Sequence, residues 1–207
     1  MQTLTRDEFR EWLDPPVWGV VHLPPLPGAP AYDGDPDRPL RRTLEDVRHL
    51  VDAGFAGVVI ENFGDAPFLP GAVEPVTVAA LARVVGAVRE RHPDLRIAVN
   101  CLRNDATAAL AVAVAGLADA IRVNVLTGAS VTDQGLIEGE AGRVLRQRRA
   151  WGGEGIRVMA DVAVKHAAPL AARSLADEAA DLRLRARADA LLMTGRATGR
   201  EADPADV

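Results

Sequence analysis

Short apolar runs alternate with longer amphipathic stretches six times along this chain. Residues 17–23, 57–60, 96–101, 119–125, 157–169 and 190–193 are rich in Val, Ile, Leu and Ala and bounded by Gly, Pro, Asn or Asp, which predicts strands. Between them the apolar positions recur at helical spacing. The stretch 41–53 buries Leu44, Val47, Leu50 and Val51, with Thr43 as its N-cap and Gly54 as its stop. Residues 76–91 carry Val78, Leu81, Val84, Val85 and Val88 on one face and end at His92-Pro93. An Ala-rich helix starts at Asn104 or Asp105 and runs to about 117. Two more are predicted over 140–150 and, capped by Ser174, over 174–187. Residues 1–16 read as an amphipathic lead-in closed by Pro15-Pro16. No hairpin signal interrupts the alternation, so the strands should be parallel and joined by right-handed crossovers, in one α/β domain over 17–207.

Polar residues punctuate the downstream ends of these runs: His22, Glu61, Asn100, Arg122, Asn124, Asp161, Lys165 and Thr194. Period-2 alternation puts Arg122 and Asn124 on the face opposite Ile121, Val123 and Val125. In the fifth run it puts Met159, Asp161, Ala163 and Lys165 opposite Val158, Ala160, Val162 and Val164. Polar groups gathered at one end of strand after strand predict the active face of a (β/α) TIM-type barrel. A doubly wound sheet is the competing fold. It calls for a Gly-rich first turn, which HLPPLPGAP is not. Six β-α units are fewer than the eight that close a barrel, so an incomplete barrel is expected, an open arc of sequential strands with free edges on its first and last members. The terminal DPADV carries a helix-start signal with no helix after it, as though two further units were missing.

Charge and composition narrow the partners. The net charge is −5, and no Lys/Arg run accompanies aromatics, which sets nucleic acid aside as a main partner. One cysteine, Cys101, excludes an intrachain disulfide and suggests a reducing compartment. No stretch reads as a signal peptide or membrane span, so a cytoplasmic protein is expected. Of the 24 Lys and Arg residues, 23 are Arg. Lys165 is thus the single lysine, and it stands beside His166 and near Asp161.

The segments HLPPLPGAP, VIENFGDAPF, NCLRNDA, IRVNVLTGASVTDQGLIEG, ADVAVKHAAPLA and ALLMTGRATG resemble the successive motifs of the BtpA/SgcQ family. That resemblance covers nearly the whole chain and implies a TIM barrel of the ribulose-phosphate-binding type. One branch of the family, in oxygenic phototrophs, is linked to photosystem I assembly or stability. Another sits among sugar-metabolism genes and is taken to be an enzyme whose reaction is open. The family pattern has a histidine two residues after the strand-five aspartate, where this chain has Ala163. An imidazole is the side chain best suited to proton transfer near neutral pH, so its loss bears on catalysis.

Two functions follow as expectations. In the first, the chain is an enzyme or binder for a small anionic metabolite, of phosphosugar or nucleoside type. Lys165 would be a Schiff-base former or a fixed charge, and Glu61, Asp161 and His22 would carry proton transfer. Arg122 would pair with the anion, while Asn100, Asn124, His166 and Thr194 would orient it. A divalent metal held by Glu61 or Asp161 with His22 or His166 is conceivable chemistry, but no ligand spacing supports it and no cofactor is named. In the second, the protein is a non-catalytic factor in the assembly of a larger complex. The open sheet edges also suggest a homo-oligomer.

Overall fold

The computed structural model describes residues 5–14 and 17–195. The elements follow in the order α1 (Arg6–Leu13), β1 (Trp18–His22), α2 (Arg38–Asp52), β2 (Gly57–Glu61), α3 (Pro75–Arg91), β3 (Arg96–Asn100), α4 (Ala106–Gly116) and β4 (Ala120–Val123). After these come β5 (Ala129–Thr132), β6 (Gly135–Glu138), α5 (Ala141–Ala150), β7 (Arg157–Val162), β8 (Ala167–Pro169), α6 (Leu175–Ala180) and β9 (Ala190–Met193). Six strands form one parallel sheet in the order β1-β2-β3-β4-β7-β9, each paired with the next strand of its repeat. The sheet curls into a half-barrel, the incomplete TIM-type architecture expected from the alternation. The helix-start signal at Asp203-Pro204 and the last residues of TGRATG, 196–199, lie outside the described residues.

Both faces of the sheet are buried, which is why its strands read as nearly unbroken apolar runs. Val58, Ile60, Ile97, Val99, Ile121, Val123, Val158 and Val162 pack outward with Leu81, Val84, Val85, Val88, Leu110 and Leu182 in the main core. The concave face holds a second, smaller core of Val59, Ala98, Ala120, Met159 and Ala190, and Phe9, Trp12 and Trp18 pack against it. The lead-in helix α1 therefore closes the underside of the arc, its ring of Trp12 lying 5.2 Å from that of Trp18.

An aspartate just ahead of a strand ties neighbouring units together, and the device occurs twice. Asp119 Oδ2 accepts from the Ile97 N–H at 2.7 Å and from Arg89 of α3 at 2.6 Å. Asp189 Oδ2 accepts from the Val158 N–H at 2.9 Å and from Arg148 of α5 at 3.0 Å. Arg148 also donates to the Ile156 carbonyl and is 2 % exposed. Arg148 is thus a buried structural cation, although its neighbours Arg146 and Arg149 are exposed.

Four expectations change. Helix α2 starts at Arg38 with Asp37 as its N-cap and a proline in its first turn, and Thr43 lies buried inside it. Proline fixes φ where the N–H needs no partner, so it sets the start upstream of the threonine. The sixth helix is short, α6 running into a π-helical turn, Asp181–Arg185, that buries Leu182. The fifth run is not one strand. β7 ends at Val162, Ala163 takes φ +48, and the chain turns at Lys165 and His166 before β8. The stretch 127–139, where the sequence carries no hairpin signal, is a hairpin: β5 pairs antiparallel with both β6 and β8 in a second, three-stranded sheet. Its two-residue turn, Asp133-Gln134, is closed by Thr132 Oγ1, which accepts from the Gln134 N–H and donates to the Gly135 carbonyl. Gly135 supplies the φ of +103.

Candidate functional site

Register builds the site. Equal positions of adjacent strands pair: His22 opposite Glu61, Glu61 opposite Asn100, and Asn100 opposite Arg122. One inward row across four strands therefore carries four polar side chains, directly above the apolar row of Val59, Ala98 and Ala120. Asp161 follows one inward position beyond Met159, the partner of Arg122.

The row is a connected network. Arg122 meets Asp161 through a two-pronged contact, Nε to Oδ1 at 2.9 Å and Nη2 to Oδ2 at 3.0 Å. Its remaining nitrogen, Nη1, donates to Glu61 Oε1 at 2.8 Å. Asn100 donates to the same Glu61 oxygen at 3.1 Å, and Asn124 donates to Asp161 Oδ2 at 2.8 Å. His22 Nε2 lies 3.5 Å from the other Glu61 oxygen, Oε2. The Arg122, Glu61 and Asp161 side chains are all deeply buried. Two carboxylates around one guanidinium leave the layer net negative.

Burial drives the Glu61 pKa up, but contact with His22, the Arg122 charge and the Asn100 amide outweigh it and hold the carboxyl below its ordinary range. For Arg122, burial acts to lower the pKa and the two carboxylates overcome it, so it is raised. Glu61 is thus an ionised acceptor with Oε2 turned to His22. His22 is 42 % exposed at its side chain and stacks on Phe63 with ring centroids 4.2 Å apart. An ionised carboxylate beside an accessible imidazole is an arrangement that can take and return a proton.

Loops carry this row into a cavity of about 750 Å³. His22, Glu61, Asn100, Arg122, Asn124, Lys165 and His166 all line it. Asp161 does not reach it and lies beneath Arg122, at a smaller cavity of about 120 Å³ shared with Ala163, Arg173 and Glu178. Ala163 is therefore not on the inward face between Asp161 and Lys165: the left-handed turn takes it out of strand alternation, and its N–H bonds Glu178 at 3.0 Å. Lys165 reaches the main cavity from a turn rather than a strand. Thr194 follows β9 away from the cavity, its hydroxyl buried without a partner among the described residues. Arg122 lines the cavity, but each of its nitrogens already donates to Asp161 or Glu61, so an anion there would share it with two carboxylates.

Further residues line the cavity from the loops. Phe63 and Phe68 from the segment after β2 form an aromatic wall, with ring centroids 6.3 Å apart. That segment is pressed onto the first loop, since a Cβ on Gly64 would come within 2.6 Å of the Leu23 carbonyl oxygen. Asp133 and Gln134 arrive from the hairpin tip, and Arg103 from the loop after β3. Buried amides clip successive loops together. Asn62 Oδ1 accepts from the Leu102 N–H at 2.7 Å, and Asn104 bonds both the N–H and the carbonyl of Val125. Asn62 and Asn104 stood out in the sequence only as a strand end and a candidate cap, because the role depends on the neighbouring loop. Among the described residues no three His, Cys, Asp or Glu side chains gather as a metal site, and no helix is long and apolar enough to cross a membrane. Cys101 is buried, which pushes its thiol pKa well above the ordinary value and away from thiolate chemistry.

Comparison with known proteins places the chain. A protein of Thermococcus kodakarensis, described as uncharacterized, is 46 % identical over 188 residues, covering 91 % of this chain and 70 % of the relative. The photosystem I biogenesis protein BtpA of Synechocystis is 43 % identical over 187 residues, covering 89 % of this chain and 63 % of the relative. Among solved structures, 7,8-dihydropteroate synthase from Vibrio fischeri superposes with a TM-score of 0.55 at 15 % identity, over 89 % of this chain and 62 % of that one. This last likeness is one of fold. The chain thus spans about two thirds of the length of these relatives. The sequence model of the BtpA family matches residues 14–207, and with these identities the chain belongs to the BtpA family.

Proposed function

We propose that the chain binds a small anionic, hydroxyl-bearing metabolite at the carboxyl ends of its parallel strands, and that His22 and Glu61 exchange a proton with it there. The observation that carries this reading is the buried row of Glu61, Asn100 and Arg122 at the floor of a cavity of about 750 Å³, with Asp161 held beneath Arg122. Desolvating three charges costs several kcal/mol per ion before their mutual attraction repays it. A protein with only packing to achieve gains little from such a layer, whereas a site for hydroxyl groups needs fixed donors and acceptors. Glu61 Oε2 and the Asn124 side-chain oxygen Oδ1, which is buried without a partner among the described residues, are the acceptors left for a ligand. Lys165 supplies a cation at the rim, and an adduct of its amine with a carbonyl compound is a further chemistry open to it.

The test is a thermal-shift screen of sugar phosphates and hydroxy acids, followed by turnover assays on whatever binds. Binders should stabilise the wild type. Glu61→Gln should keep that stabilisation while turnover falls by about 10²–10⁴-fold, the usual share of an acid–base group. A screen with no binders would end this reading.

A second reading draws on the Synechocystis relative, whose name ties it to photosystem I biogenesis. In it the chain serves assembly of a larger complex. Retention of membrane-complex subunits on the immobilised chain, unaffected by Glu61→Gln, would favour that role. Loss of retention on addition of a screen hit would join the two readings.

A further inference from the structure

We infer that Arg103 is the residue on which the cavity seats an anionic group, a phosphate or a carboxylate, with Lys165 beside it. This rests on the proposed binding of a metabolite and names the pole at which its charge sits. Arg103 is 7 % exposed and lines the cavity. Among the described residues its guanidinium makes one hydrogen bond, Nη2 to the Lys165 carbonyl at 2.9 Å, and no ion pair. A guanidinium offers five N–H donors in a planar fork suited to two oxygens of one anion. Here only one of them meets a protein acceptor among the described residues, and no carboxylate pairs with the group at the cavity it lines.

Arg122 shows what a satisfied arginine looks like in the same space, since all three of its nitrogens contact Asp161 or Glu61. An anion entering the cavity finds that cation spent and two carboxylates around it. The floor repels it, and Arg103 and Lys165 on the loops after β3 and β7 attract it. Burial pushes the Arg103 pKa down, partly offset across space by Asp133, Asp161 and Glu61. The charge is under-compensated, and a bound anion would offset that. Asp133 on the hairpin tip is the carboxylate a ligand would have to outcompete. The sequence signalled none of this, because Arg103 lies beyond the last residue of β3, where strand alternation no longer orders side chains.

Isothermal titration with glycerol 1-phosphate, glycerate, inorganic phosphate and, as a neutral control, glycerol tests the inference. Wild type should bind at least one of the anions and not glycerol. Arg103→Gln should weaken that binding about 10- to 100-fold, the span for losing a charged hydrogen bond, and Arg103→Lys should fall between. The phosphate and carboxylate arms show which group the seat prefers. Unchanged affinity in Arg103→Gln would overturn the inference while leaving metabolite binding standing; no anion bound by wild type would end both. Should Arg103→Gln fail to fold, phenylglyoxal labelling of wild type replaces it. The best-bound anion should protect Arg103, identified by peptide mass, and modification at an undiminished rate would equally overturn the assignment.

Discussion

Glu61 shows how much one side chain can couple. It accepts from Asn100 and Arg122 on one oxygen and faces His22 with the other, so it joins β1, β2, β3 and β4. Its pKa in the folded protein is lowered from an ordinary value of 4.5. The unfolded chain therefore binds more protons than the folded one as pH falls through this range. Glu61 contributes stability above that ordinary value and loses it as pH falls through the depressed one. Urea unfolding followed from pH 7 into the acid range should show a steeper loss for wild type than for Glu61→Gln, whose curve lacks this contribution. At pH 7 the variant should be less stable by roughly 1–3 kcal/mol, since a charged hydrogen bond becomes a neutral one. The sequence exposed this residue, and with it His22, Asn100, Arg122 and Asn124, because each sits where alternation is strict. It concealed Arg148, whose partner Asp189 is separated from it by β7, β8 and α6, and whose neighbours Arg146 and Arg149 are exposed.

Among elements, the hairpin departs furthest from the repeat. Strand-and-helix periodicity foresaw the six parallel strands because each is an apolar run. β5 and β6 mix apolar with polar residues and lie mostly at the surface, and their turn, TDQG, places a glutamine between Asp and Gly where a two-residue turn is commonly marked by Asp-Gly. Thr132 supplies by hydroxyl what the dipeptide did not announce. Gly135 is the point of failure: at φ +103 a side chain is strained, and nothing nearby compensates. Gly135→Val should open the hairpin and speed proteolytic cleavage near 132–136. The midpoint of thermal unfolding should move little, since only Ile137, Val125 and Val164, with Ala167 against them, form the small core beneath it. Cleavage at the wild-type rate would mean that the turn tolerates the strain.

For the whole molecule, the sequential order β1-β2-β3-β4-β7-β9 leaves β1 and β9 paired on one side among the described residues. Central strands hold hydrogen bonds on both edges. Amide exchange should be slowest in β2, β3 and β4 and faster at β1, where Val20 is half-exposed. If copies of the chain join through these edges, protection at β1 should rise with protein concentration. Exchange at β1 that is independent of concentration would rule such pairing out.

The underside of the arc, sealed by Phe9, Trp12 and Trp18 against the apolar concave row, has a kinetic consequence. A molecule held on the polar layer leaves on the opposite side, where Asp133 and Gln134 of the hairpin line the cavity. Those two residues belong to a hairpin that contributes little to the main core, so changes there can alter how long a guest stays without altering the persistence of the fold.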